Sequence, residues 1–389
     1  MEEFLTAADL RGTTRLLIMQ PTAFCNIDCL YCYLPNRNDR KIMSIETARQ
    51  AAAFVFESAI AAVDLTVVWH AGEPLVVPPD WYRKAIAAMQ TAAPVDVRPV
   101  HAIQTNGMLI DDRWCHFFLE VGMQVGVSID GPARLHDARR RTRSGGGTHA
   151  TTMRGVERLQ RHGVPFHVIC VVGRDTLDAA DELMDFFAAE GITRIGFNIE
   201  EIEGPTRHST LEAPGTIDGY RRFLERVLQR SDSYNPPIAI RERDEILALL
   251  KSPLFGRFRG NSQNVPLGIV TVAADGALFT FSPELAGLKE PRFDDFVIGR
   301  LPDATVESVL ASPNFQAMWA EIEAGTNRCK RTCAYFDLCL GGAPSNKLSE
   351  NGTFDSTETM FCRHAHMAVA DTVLADLEAQ IANCPARVT

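Results

Sequence analysis

The first 210 residues of this chain alternate six short β-rich runs with five longer segments of helical spacing, and this alternation restricts the fold more than any other feature. The apolar runs are Arg15 to Gln20, Leu65 to His70, Val100 to Gln104, Gln124 to Ile129, Phe166 to Val172 and Arg194 to Asn198. Between them the spacing predicts helices over Ser44 to Ala62, Asp80 to Thr91, Asp111 to Val121, Thr148 to His162 and Asp175 to Glu190. Strand followed by helix, repeated, implies an α/β fold with a parallel sheet and right-handed crossovers. Pattern alone leaves open whether the sheet curls into a barrel or stays doubly wound.

Polar and Gly-rich residues punctuate the ends of these runs: His70-Ala71-Gly72-Glu73-Pro74, Gln104-Thr105-Asn106-Gly107, Ser128-Ile129-Asp130-Gly131 and Asn198-Ile199-Glu200-Glu201. The carboxyl ends of parallel strands are where α/β active sites are built. Each element alone also reads as turn or cap chemistry. After the first run comes PTAFCNIDCLYCY, with Cys25, Cys29 and Cys32 separated by three and then two residues. Three thiolates from one loop hold three irons of a [4Fe-4S] cube and leave the fourth open to a ligand. A closed zinc site, the alternative, normally takes four ligands in paired couples.

This spacing resembles the motif of the radical S-adenosylmethionine (SAM) enzymes. The resemblance implies a partial (β/α)6 barrel in which SAM chelates the open iron and Tyr31 packs on the adenine. HAGEP looks like the family's Gly-Gly-Glu-Pro motif, with Gly72 approaching the ligand and Glu73 accepting from its amino group. Ser128, Arg140 and Asn198 fall at positions expected to contact SAM. The fork of an arginine suits a carboxylate, although Arg139, Arg140, Arg141 and Arg143 also read as a solvated charge run.

A second group, Cys329, Cys333, Cys339 and Cys362, supplies four thiols, enough for a closed [4Fe-4S] cluster or a four-cysteine zinc site. It resembles the SPASM extension of radical SAM peptide maturases, which usually holds two auxiliary clusters. Here Ser282 and Ala343 stand where ligands to the first would be expected, so the expectation is two [4Fe-4S] clusters in all, one binding SAM and one auxiliary. The expected division is a barrel over 1–210, a bridging region over 211–265, a SPASM-type iron-sulfur domain over 266–363 opened by a β-hairpin at Gly268 to Phe281, and a C-terminal helix and tail over 364–389. The helix through His366 to Ile381 is expected to pack back on the barrel.

VVWHAGEPL, GVSIDGPARLHD, the Arg-rich segment with GGGTH, and FNIEEIEG together resemble the maturases of glycine-rich-repeat peptides, the cyclophane-forming GrrM type. That resemblance implies a ribosomally made precursor peptide as substrate, with an aromatic ring carbon joined to the β-carbon of a residue two positions on. It also implies an electron donor such as flavodoxin or ferredoxin. Sulfatase maturases carry an Asp just after the Cys that Ser282 replaces, and here Pro283 follows; Glu284, Glu200 and Glu201 are therefore the candidates to accept the proton. The competing functions are sulfatase-type oxidation of Ser or Cys to formylglycine and a zinc-stabilised peptide-binding module without catalysis.

Composition excludes other classes. A net charge of -10 argues against a general nucleic-acid binder. The N-terminus MEEFLTAADL lacks a basic region before an apolar stretch, and no apolar run reaches about eighteen residues, so neither export nor a membrane span is expected and the location expected is cytoplasmic. Ten cysteines in such a chain read as reduced thiols on metal. Cys115 and Cys170 read as buried apolar residues, Cys384 as a tail thiol, and the histidines, His70 among them, as core or cap residues.

Overall fold

The computed structural model describes residues 5–95, 97–256 and 260–383, so Cys384 lies outside the described residues. Strands β1 (Thr14–Met19), β2 (Ala61–Trp69), β3 (Val100–Thr105), β4 (Gln124–Ser128), β5 (Phe166–Val172) and β6 (Arg194–Ile199) lie parallel and adjacent in chain order. Helices α1 (Ile45–Glu57), α2 (Pro79–Ala92), α3 (Asp112–Val121), α4 (Ala133–Arg139), α5 (His149–His162) and α6 (Ala180–Ala189) make the crossovers. Local chemistry marks their ends: Ser44 and Asp111 cap α1 and α3, and left-handed Gly122 and Gly163 stop α3 and α5. All six strands run the same way, so the loops after them gather at one edge of the sheet.

Two helix predictions overran. The alanine-rich stretch predicted helical to Ala62 stops at Glu57, because Ala59 and Ile60 give their carbonyls to Gly12 and Thr14 and Ala61 already pairs with β1. Sheet pairing overrides a helix propensity worth a few tenths of a kcal/mol per residue. The helix predicted from Asp175 begins at Ala180, because the Thr176 hydroxyl bonds both the N–H and the carbonyl of Gly173 and fixes a separate turn there.

The bridging stretch holds the expected helix, α7 (Thr216–Ser231), and also β7 (Ala239–Ile240) and α8 (Arg241–Lys251), which the sequence reading missed. No side chain caps α8, so its start carries no signal. The expected hairpin forms as β8 (Ile269–Val272) and β9 (Ala277–Thr280), and β8 runs parallel to β1 with Leu16 opposite Ile269. With β10 (Gly299–Arg300) one sheet of ten strands results, ordered β10-β9-β8-β1-β2-β3-β4-β5-β6-β7. The sheet therefore continues from the barrel strands into the C-terminal half. Every residue of β8 and β9 is buried, so their alternation marks no solvent face.

Helices α9 (Val306–Ala311), α10 (Pro313–Thr332), α11 (Phe336–Cys339), α12 (Pro344–Asn351) and α13 (Met360–Cys362) follow. A π-helical turn over Arg363–Ala368 then leads to α14 (Val369–Asn383), which packs on α7 and α8. Cys115 and Cys170 are fully buried. Among the described residues no helix is long and apolar enough to cross a membrane.

Candidate active site

The loop after β1 places Cys25, Cys29 and Cys32, all half-buried, on the wall of a cavity of about 340 Å³. The Arg-rich segment braces this loop, so it is not simply a solvated face. Asp28 N–H donates to the Arg141 carbonyl at 2.7 Å and Leu30 N–H to the Arg139 carbonyl at 3.0 Å, while Arg143 Nε donates to the Cys25 carbonyl at 2.8 Å. Arg139 and Arg140 are buried, and Arg143 remains exposed.

Arg140 donates to the Tyr31 hydroxyl at 2.6 Å, which in turn donates to Asp130 at 2.7 Å. Arg140 Nε is buried without a partner, and Arg140 lines the cavity. An orphaned guanidinium N–H beside three thiols is a seat for a carboxylate. The Ser128 hydroxyl also faces the cavity and accepts from Gln104 Nε2 at 2.9 Å. Gly126 makes room beneath, since a Cβ there would lie 2.0 Å from Gln104 Oε1. Asn198 lines the same cavity, with its carbonyl oxygen already taken by Arg241 at 2.9 Å.

The HAGEP turn behaves differently from its sequence reading. Gly72 has φ +60°, and a Cβ there would meet the Phe24 carbonyl at 2.5 Å. The close approach is therefore to the backbone of the cysteine loop, onto which Glu73 N–H also donates at 2.8 Å. The Glu73 carboxylate is buried and accepts from Thr105 Oγ1 at 2.6 Å, Asn106 N–H at 2.8 Å and Leu75 N–H at 3.0 Å. Three of its roughly four lone-pair sites are thus filled from the protein. Burial raises its pKa against these donors. Glu73 ties the second and third loops together and keeps about one lone-pair site without a protein donor.

Of the three proposed proton acceptors, Glu201 and Glu284 reach the cavity and Glu200 does not. Glu200 accepts from Thr210 N–H at 2.8 Å and from the Thr210 hydroxyl, bracing the loop after β6. Glu203, which the sequence reading passed over, takes its place. The signal was present in FNIEEIEG, since alternate residues of an extended run share a face. Glu201 accepts from Asn346 at 2.9 Å, and Glu284 accepts from the Ser282 hydroxyl. Burial pushes the Glu201 pKa up to about 8 and raises those of Glu203 and Glu284. One Glu203 oxygen has no partner. Nearby, the Tyr33 hydroxyl and His70 Nε2 lie 2.8 Å apart, and burial lowers the His70 pKa to about 4, so the imidazole is neutral at pH 7. His70 is therefore a cavity residue.

The second cysteine group lines a separate cavity of about 270 Å³ with Lys347. Cys329 lies in the last turn of α10, Cys333 directly follows that helix, Cys339 ends α11 and Cys362 ends α13. Left-handed Leu340, Gly341 and Gly342 turn the chain between them, and Asn261 and Asn264 hold that turn by donating to the carbonyls of Cys339, Gly342 and Leu340. Ser282 and Ala343 are buried, and the Ser282 hydroxyl is spent on Glu284 and on Ser345 at 3.0 Å. Among the described residues no three His, Cys, Asp or Glu side chains converge to hold a single metal ion.

Comparisons with known proteins agree with this geometry. The profile described as "Radical SAM superfamily" matches residues 19–187. A serine-type anaerobic sulfatase-maturating enzyme of Bacteroides thetaiotaomicron is 34% identical over 88% of this chain and 85% of its own length. The chain belongs to the radical SAM superfamily. An uncharacterised Synechocystis protein is 39% identical over 94% of this radical SAM chain and 93% of its own. The solved structure of native anSMEcpe with bound AdoMet and Cp18Cys peptide has a TM-score of 0.75, covering 95% of this chain and 99% of that one at 21% identity. Streptococcus suis SuiB bound to precursor peptide SuiA gives a TM-score of 0.62, covering 90% and 76% at 13% identity. These two likenesses concern the fold.

Membership implies a [4Fe-4S] cluster and SAM, and the residues present fit both. Burial pushes the thiols of Cys25 and Cys29 up to about 12 and 11, so bare thiolates are penalised there and bound iron would offset that penalty. Together they would supply a 5′-deoxyadenosyl radical.

Proposed function

We propose that this radical SAM enzyme modifies a ribosomally made precursor peptide, joining an aromatic ring carbon to the β-carbon of a residue two positions on. The observation that carries this reading is the wall of carboxyls, Glu203 buried and Glu201 and Glu284 half-buried, opening on the same cavity as the cysteine loop. Forming the crosslink removes one Cβ hydrogen atom, creates a carbon–carbon bond, and then removes one electron and one proton to restore the ring. The proton needs an acceptor shielded from water at the reacting ring, and this wall supplies one. Cys25, Cys29 and Cys32 hold the cluster; Tyr31, Glu73, Ser128, Arg140 and Asn198 orient SAM, with Gly72 seating the HAGEP turn on the cysteine loop. Cys329, Cys333, Cys339 and Cys362 would hold an auxiliary [4Fe-4S] cluster, which would supply an acceptor for that electron. A flavodoxin or ferredoxin supplies the reducing electron.

A second reading, oxidation of a Ser or Cys to formylglycine, is favoured by the 34% identity to the Bacteroides enzyme. The replacement of a thiol by Ser282, bonded to Glu284, speaks for the crosslink. Co-expression with a candidate precursor peptide separates the two. Both reactions remove two hydrogens, about 2 Da per event, because the radical chemistry belongs to the cofactor. A crosslink leaves a span that resists fragmentation and moves deuterium from the partner's Cβ into 5′-deoxyadenosine. A product that reacts with a carbonyl reagent establishes the second reading instead.

A further inference from the structure

Lys347 is 4% exposed, and its Nζ lies 3.4 Å from Cys329 Sγ. Lysine is almost never buried this fully unless it is paired. Lys347 forms none of the ion pairs found among the described residues. Asp355, whose field reaches it, gives its oxygens to Arg328 at 2.6 and 2.9 Å. A neutral thiol does little to offset an ammonium held away from water. Four thiolates around a cluster carry a net negative charge and would offset it.

The backbone commits Lys347 to this place. It stands in the first turn of α12, where Pro344, Ser345, Asn346 and Lys347 are all buried. The Ser345 hydroxyl bonds that of Ser282, Asn346 donates to Glu201, and Lys347 turns to Cys329. One helical turn thus touches both the carboxyl wall and the cysteine quartet.

We propose that Lys347 is a positioning residue for the auxiliary cluster, donating a hydrogen bond to the Cys329 sulfur and raising the cluster's reduction potential. The proposal rests on the reading that the quartet holds a [4Fe-4S] cluster. Taking up one electron adds one negative charge to that cluster, and a cation at hydrogen-bond distance from a ligand sulfur stabilises the reduced form more than the oxidised one. A cluster so placed is a better electron acceptor.

The test uses the full chain, anaerobically reconstituted, with Cys25, Cys29 and Cys32 changed to Ala so that a single cluster signal remains. Midpoints are read by EPR-monitored titration with dithionite as reductant. In Lys347→Met the expected result is unchanged iron content and a tenfold or greater loss in the equilibrium constant for one-electron reduction, about 59 mV. Lys347→Arg should retain most of the original midpoint. Should Lys347→Met fail to hold iron, Lys347→Gln against Lys347→Arg makes the same comparison between a neutral and a charged donor. Equal midpoints in charged and neutral variants overturn the role of Lys347 and leave the cluster assignment standing. Stoichiometric zinc with no cluster signal overturns the assignment itself.

Discussion

The Cys25–Cys29–Cys32 loop and the Cys329–Cys333–Cys339–Cys362 quartet both line a cavity, but they are assembled over different lengths of chain. The first draws three thiols from eight consecutive residues and shares its cavity with Glu73 from the loop after β2, Ser128 at the end of β4 and Arg140 just after α4. The second gathers four thiols from the last turn of α10, the residue after it, α11 and α13, in a cavity that Thr332, Tyr335, Thr359 and Lys347 also line. Three thiol ligands would leave one iron of a cube open to a small molecule, whereas four would close it and suit it to electron transfer. The two sites should therefore fail independently.

The largest expected effect follows from removing the first. With Cys25, Cys29 and Cys32 all changed to Ala, SAM cleavage to 5′-deoxyadenosine should vanish while iron falls from about eight to about four per chain, one cube remaining. Residual 5′-deoxyadenosine would break the comparison. The next effect comes from the second site. Cys333→Ala with Cys362→Ala should also remove about four irons, yet 5′-deoxyadenosine should still form and only crosslinked peptide should be lost. Iron near twelve in the unaltered chain would instead show a third cluster despite Ser282 and Ala343.

A smaller and graded effect belongs to the carboxyl wall between the sites. A proton acceptor works only when ionised, and the Glu201 pKa is raised to about 8. Crosslinking should therefore rise with pH between 7 and 9, opposite in sign to what an acid catalyst would give. Glu201→Gln should slow crosslinking on the order of 10²-fold and flatten that rise, while cleavage of SAM continues uncoupled. A rise that survives in Glu201→Gln moves the role to Glu203 or Glu284.

The difference in assembly also explains what the sequence reveals. Strands β1 to β6 and the first cysteine loop are local features, so periodicity and spacing expose them directly. The partner of β8 is not local: nothing in Gly268 to Phe281 says that the hairpin will pair with β1, more than 250 residues earlier in the chain. Arg140 and Arg143 look alike in a charge run, and only the packing of residues 139–143 against the cysteine loop buries one and leaves the other exposed. Lys347 carries no signal at all, since its meaning depends on Cys329 across a separate helix. In FNIEEIEG residue type alone does not separate Glu200 from Glu201; alternation pairs Glu201 with Glu203, and the turn that follows takes up Glu200.

That last pair gives the smallest effect and the sharpest contrast between neighbours. Glu200 holds the N–H and hydroxyl of Thr210, and its own carbonyl accepts from Ser209 Oγ at 2.6 Å, so it shapes the 3-10 turn Thr210–Glu212 in the manner of a cap. Losing a cap of this kind destabilises by about 1 kcal/mol. Glu200→Ala should therefore lower the denaturant midpoint slightly, keep both cubes and leave crosslinking within about twofold, well under the loss that removing a proton acceptor brings. Glu201→Gln should do the reverse, with little change in stability and a large one in product. Measuring both variants in the same denaturation and crosslinking assays separates the residues. If Glu200→Ala abolishes product while iron and stability hold, the cavity wall extends past Glu201 and the division drawn between brace and acceptor is wrong.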